Sequence, residues 1–222
     1  MNESTISIEG KGAIHVVPDV TRLEVTISGH FDSYAAAYAQ GKENSSWMVK
    51  ILEYNKKPGK LAKTIKFEVT EHTKPKHDKF GHVEEWLLDG YDLRQILKID
   101  LPMDNVLVNN IIRGIGKFIT GAEASVNYTL QDMRPSQLKM LERAVTDARD
   151  KAEKMAKALG CTLGKVISVR YGHGDIHVMS QARYIHSNAE AKASTADSLA
   201  ITPDDLVMSD TADVVFELVN PE

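Results

Sequence analysis

Cysteine is nearly absent: Cys161 stands alone in 222 residues, so no disulfide can form within the chain, which suits a reducing compartment. Aromatic residues make up only 6%. No apolar run approaches the roughly 20 residues that a membrane-spanning helix needs, so no membrane insertion is expected. Neither sign of charge dominates, since 27 Lys and Arg face 31 Asp and Glu for a net charge of −4. That balance lacks the basic excess by which nucleic acids and anionic membranes are held, and no nucleic-acid partner is expected. The opening residues, MNESTISIEGKG, lack the basic and apolar regions of an export signal, and the chain as given reads as cytoplasmic. Ser-His-Asp, HExxH and phosphate-loop patterns are missing too. With 42% hydrophobic residues the composition is that of an ordinary soluble domain.

What is present is periodicity. Residues 5–17 alternate as a first strand with glycines at 10 and 12, Pro18-Asp19 turns the chain, and Leu23, Val25 and Ile27 alternate through a second. Gly10-Lys11-Gly12 invites a phosphate-loop reading, but Ile14 and His15 stand where a third glycine would. A turn and a strand follow rather than a helix, so a strand with close backbone approach is the better account. Asp32-Ser33 starts a helix over 34–54 with Tyr34, Tyr38, Met48 and Leu52 on one side. Gly41 weakens that helix by about 1 kcal/mol relative to alanine.

After NKKPGK at 55–60, residues 61–72 and 86–101 form the strands of a long hairpin. The polar stretch HTKPKHDKFGHVEE between them is expected to project as a tip. Asp104 or Asn105 opens a second helix carrying Val108, Ile111, Ile112, Ile115 and Ile119, Gly121 ends it, and 122–132 is a further strand. Strands are also expected at 165–172 and 212–219, and 174–205 is a polar connector, a loop or partly disordered arm.

The most regular stretch is 135–164. Leu138, Leu141, Ala144, Val145, Ala148, Ala152, Met155, Ala156 and Leu159 share one helical face, with Ser136 as the cap and Gly160 as the stop. Asp147/Lys151, Asp150/Lys154 and Glu153/Lys157 lie four apart on the opposite, wet face. The alanines let this helix approach a sheet closely. The resulting order, ββαββαβαββ, has too few crossovers for a doubly wound parallel sheet and reads as α+β, mainly antiparallel. Residues 20–132 give the βαββαβ order of a ferredoxin-like core. Residues 5–17 with 136–219 give a second α/β lobe containing the long C-terminal helix, the two being lobes of one unit over 1–222.

Several stretches together resemble the SIMPL-domain family, long catalogued in bacteria as a domain of unknown function. They are Gly10-Lys11-Gly12 followed by Pro18-Asp19, Gly90-Tyr91 leading into the Leu97/Ile99 strand, and Gly121-Ala122. More specific is the run Ala144-x-x-Asp147-Ala148-Arg149-x-Lys151-Ala152, continuing to Ala156, Leu159-Gly160 and Leu163-Gly164, with Pro203 before the VVFEL strand. The resemblance implies no established reaction and no cofactor. It implies periplasmic or envelope-associated relatives, some of them self-assembling, with links to envelope or stress physiology. Gly10, Gly12, Pro18, Asp19, Asp147, Arg149, Lys151, Gly160 and Gly164 are accordingly expected to serve structure or contact; no catalytic, cofactor-binding or metal-binding residue is assigned.

The histidines are the main temptation. His72, His77 and His82 sit five apart around the hairpin tip, and His173, His177 and His186 lie around the connector, but these spacings match no standard zinc motif. Cys161 has no evident base beside it, and Trp47 and Trp86 read as core or lobe-interface anchors. The leading expectation is a non-enzymatic protein acting by self-assembly, as a homo-oligomer, or by contact with a protein partner. The rivals are a ligand-binding protein or enzyme with its site between the lobes, and a metal-binding stress protein using the histidine loops.

Overall fold

The computed structural model describes residues 4–171, 181–182 and 203–220. The fold is α+β with mostly antiparallel sheets. Its elements are β1 (Thr5–Val16), β2 (Val20–Phe31), α1 (Tyr34–Tyr54), a 3-10 turn (Gly59–Leu61), β3 (Ala62–His77), β4 (Val83–Pro102), α2 (Asn105–Phe118), β5 (Ala122–Thr129), α3 (Arg134–Ala158), β6 (Thr162–Arg170), β7 (Gln181–Ala182) and β8 (Leu206–Val219). The long helix α3 lies in the interior of the chain and the described chain closes in β8, so the expected C-terminal helix is corrected to a helix followed by strands. Most of the connector expected at 174–205 lies outside the described residues.

The chain divides into two compact units, one holding residues 1–19, 129–180 and 203–222, the other 20–128 and 181–202. The first unit is a sheet of order β1-β8-β6 with α3 laid on it. β1 and β8 pair from Thr5↔Glu217 to Val16↔Leu206 without a break, because alternate residues on both strands are apolar and a slip would expose them all. Ile6, Ile8, Val214 and Phe216 meet Ala148 and Ala152 of α3 in its core. The helix buries a narrower stripe than its periodicity predicts: Met140, Ala144, Ala148, Ala152 and Ala156 are buried, while Leu138, Val145, Met155 and Leu159 are exposed. Its start is also corrected. Met133 is the cap residue, Pro135 occupies the first turn, and the Arg134 N–H donates to Asp132 Oδ1 at 2.9 Å, which leaves Ser136 inside the helix.

The second unit is a sheet of order β3-β4-β2-β5-β7, with α1 and α2 over its apolar face. Leu23, Val25 and Ile27 of β2 and Leu93, Leu97, Ile99 and Leu101 of β4 point into the core with Met48, Leu52, Ile111 and Ile115 from the helices. Ser33 and Asp104 cap α1 and α2 as expected, accepting from Ala36 N–H at 3.2 Å and Leu107 N–H at 3.0 Å. On α1, however, Tyr34 and Tyr38 are exposed, and Ala37, Gly41, Asn44, Met48, Ile51 and Leu52 make the buried face. Gly41 belongs there because a Cβ would meet the Phe67 ring.

The hairpin tip is shorter than expected. Pairing of β3 with β4 runs on from His72↔Gly90 to His77↔Val83, so most of the polar stretch is strand and only 78–82 turns. Asp78 shapes that turn by accepting from Phe80 N–H (2.8 Å) and His82 N–H (2.9 Å).

Candidate functional site

Asp147 and Lys151, expected on the wet face of α3, lie instead along its seam with β1. The Lys11 backbone N–H donates to Asp147 Oδ2 at 2.8 Å, Lys151 Nζ donates to the Glu9 carbonyl at 3.2 Å, and Arg143 Nη1 donates to the Ala13 carbonyl at 2.5 Å. β1 is an edge strand, so these three backbone groups would otherwise be offered to any passing strand. Four residues of helix rise about 6 Å and two residues of strand about 6.7 Å, so side chains four apart on α3 meet alternate residues of β1. Lys151 also pairs with Asp147 at 2.7 Å. That hydrogen bond and the Lys11 N–H hold the Asp147 carboxyl below its usual range.

Gly10 and Gly12 make the seam possible. A Cβ at Gly10 would sit 2.6 Å from the Ala148 backbone nitrogen and overlap the Ala144 carbonyl; one at Gly12 would sit 2.9 Å from the Ala144 nitrogen and overlap the Met140 carbonyl. The GKG cluster thus serves helix approach, through two glycines with the Lys11 N–H between them. The other expected positions fall to separate tasks. Asp19 follows Pro18 in the turn, donates from its N–H to the Thr129 carbonyl at 3.2 Å and accepts from Gln131 N–H at 2.8 Å. Arg149 pairs with Glu153 at 3.0 Å on the exposed side of the helix. At Gly160 the helix closes, through Gly160 N–H to the Lys157 carbonyl (3.1 Å) and Cys161 N–H to the Ala156 carbonyl (2.9 Å). Gly164 lies in β6 against Glu217, where the register with β8 breaks. Cys161 Sγ lies 3.1 Å from Asn220 Oδ1.

The histidines regroup. His72 is not joined to His77 and His82; it meets His30 of β2 and Asp92 of β4. His30 Nδ1 lies 2.7 Å from Asp92 Oδ1 and His72 Nδ1 lies 2.8 Å from Asp92 Oδ2. The two rings meet edge to face at 5.0 Å. Three adjacent strands place them: His30 stands directly opposite Asp92, and His72 stands opposite Gly90, two residues along the same face. Asp89 is the extra residue of a bulge, because the register passes from His72↔Gly90 to Thr73↔Leu88. Its carbonyl accepts from His30 Nε2 at 3.3 Å, and its carboxylate takes Lys74 at 2.5 Å. Gly90, at φ +145°, leaves room for the His30 ring, since a Cβ there would stand 2.7 Å from His30 Nε2.

The Asp92 hydrogen bond raises the His30 pKa, and the two histidines hold the Asp92 carboxyl down. The ligand atoms of His30, His72 and Asp92 all lie within 4.8 Å of one another. His82 instead faces Asp78 at 3.4 Å, and His173, His177 and His186 lie outside the described residues.

The two tryptophans part company. Trp86 is exposed on the hairpin and anchors no core. Trp47 stacks on Phe118 at 4.8 Å beneath Lys50, at the wall of a groove of about 610 Å³ between α1 and α2. Arg113 and Lys117 line the same groove, whose positive rim suits an anionic group.

The class so defined is an α+β protein with mostly antiparallel sheets and a polar cluster across three strands of one of them. Within it, the chain belongs to the SIMPL family: the family model, described as a protein of unknown function (DUF541), matches residues 6–216. No curated protein matches the chain. No helix among the described residues is long and apolar enough to cross a membrane.

Proposed function

We propose that this SIMPL protein is a non-enzymatic contact protein that self-associates through the outer half of the β3–β4 hairpin. The observation that carries the reading is an apolar load on a ribbon that no core among the described residues covers. Trp86 is 65% exposed, Leu88 54% and Phe80 79%, and Leu87 and Val83 are exposed as well. Trp86 stands opposite Pro75, and Leu88 lies on the same face two residues on, so these three form an apolar patch on one side of the ribbon while Leu87 lies on the other. Contiguous exposed apolar faces on otherwise polar proteins mark contact surfaces.

Several of the ribbon's charges are engaged within it: Lys76 meets Glu85 at 2.8 Å and Lys74 meets Asp89 at 2.5 Å. Contact by the face rather than the edge follows from Pro75 and the lysines of β3, which blunt that edge against strand pairing. We further read residues 20–132 as a ferredoxin-like core. The support is the order β3-β4-β2-β5, with β2 and β3 both antiparallel to the β4 between them.

Light scattering coupled to size exclusion tests the association. The expected result is a mass above that of one chain, reduced to one chain by Trp86→Lys with Leu88→Lys. A wild-type protein that is monomeric at every concentration overturns the reading.

A further inference from the structure

We propose that His30, His72 and Asp92 form a surface site for one divalent transition-metal ion of the zinc type, with a coordination position left to solvent. Two imidazoles and one carboxylate are a donor set that such ions take, and neutral histidine nitrogens select them over magnesium or calcium. The three side chains stand on neighbouring strands of one sheet, β2, β4 and β3, a footing more rigid than a loop.

The hydrogen bonding around His30 carries the inference furthest. A neutral imidazole has a single N–H, yet both ring nitrogens of His30 face acceptors: Nε2 the Asp89 carbonyl at 3.3 Å, Nδ1 the Asp92 carboxylate at 2.7 Å. With the Nε2–H given to the Asp89 carbonyl, a second proton or a cation stands between Nδ1 and Asp92. An Nε2–H held by a backbone carbonyl is the arrangement that orients a metal-binding histidine and presents its other nitrogen as a lone pair. The bulge at Asp89 supplies that carbonyl, and Gly90 leaves room for the ring. Lys74, which stands two residues from His72 on β3, is taken up by the Asp89 carboxylate.

The geometry needs a local closure of three side chains. Bonds of about 2.0–2.1 Å in a tetrahedral site put ligand atoms roughly 3.3 Å apart. The Asp92 carboxylate spans the two rings, Oδ1 at 2.7 Å from His30 Nδ1 and Oδ2 at 2.8 Å from His72 Nδ1, and with one ligand atom from each residue the three lie within 4.8 Å of one another. The carboxylate turns one oxygen to the ion and the atoms settle at about 3.3 Å. The side chains are close to half exposed, which leaves their torsions free to make that change. One carboxylate oxygen and two Nδ1 atoms fill three positions, and water fills the fourth.

The test is calorimetric titration of the full-length chain with zinc chloride, followed on nitrogen-15-labelled protein by the histidine ring shifts. One equivalent is expected to bind, moving the Nδ1 resonances of His30 and His72. His30→Ala, His72→Ala and Asp92→Asn should each weaken binding at least tenfold, while His77→Ala and His82→Ala leave it unchanged. Gly90→Ala should weaken it through displacement of the His30 ring. Thermal melts of each variant separate lost ligands from lost fold. Zinc that fails to bind, or binds equally to the His30, His72 and Asp92 variants, overturns the site and leaves a cluster held by protons alone. Self-association is read separately by light scattering with and without zinc, so either proposal fails without the other.

Discussion

The seam between α3 and β1 and the outer half of the β3–β4 hairpin are opposite answers to one problem. Each is an exposed run of strand with backbone groups at an edge. At the seam, a helix covers the edge and three charged side chains satisfy it, with two glycines allowing the approach. On the ribbon nothing among the described residues covers the apolar side chains, and the charges pair across the two strands. The contrast teaches that Asp147 and Lys151 of the family-like run belong here to the closed edge, while Arg149 of the same run faces away from it. The residues with chemistry or contact to offer lie where the polypeptide is least covered.

That contrast can be broken by substitution. Gly12→Val should do most damage, because its side chain would enter the α3 backbone. A loss of about 3 kcal/mol or more is expected in urea unfolding, and a change under 1 kcal/mol would show that the helix is free to lift.

Acid should come next. The Asp147 carboxyl is held below its ordinary value of 3.8 by Lys151 and the Lys11 N–H. Its contribution is therefore full above that value and is lost as the pH falls through the lower folded-state pKa. Melting temperature followed downward from pH 5 should fall less steeply in Asp147→Asn than in the wild type. Parallel curves would remove Asp147 from the acid response.

Gly41→Ala lies between the extremes. The alanine gains about 1 kcal/mol of helix propensity, set against a shift of the Phe67 ring. Phe67 is partly exposed and its ring end can move, so the net change should be under about 1 kcal/mol of either sign. Trp86→Lys should alter stability least, within about 0.5 kcal/mol in thermal or urea unfolding, while changing association. A large loss would mean the ribbon supports the fold.

Alternation on β1, β2 and β4 is legible in the sequence, as is the helix start at Ser33, because each of these signals is local. The choice between Asp104 and Asn105 falls to Asp104, and β8 begins at Leu206, six residues before the expected 212–219. The buried stripe of α3 is narrower than its sequence periodicity implies. Helical periodicity places Leu138 and Met155 near the alanines, but a backbone in contact with Gly10 and Gly12 leaves room only for small side chains.

The outer ribbon was read as a tip because polarity argued against core, yet a two-stranded ribbon needs cross-strand pairing more than burial. The cluster of His30, His72 and Asp92 was hidden for another reason. His30 is 62 residues from Asp92 and His72 is 20, so no spacing rule joins them. Only the hairpin register, with its bulge before Gly90, would have brought His72 toward Asp92.

The seam of α3 works like a vernier. Its rungs are about 6 Å apart on the helix and about 6.7 Å apart on the strand, so each step adds a mismatch of about 0.7 Å. The short carboxylate of Asp147 takes the middle rung, where the two scales coincide, and the long arms of Arg143 and Lys151 take up the slack at either end. Each further rung would add the same offset, so long flexible side chains suit the ends of the seam and short ones its middle.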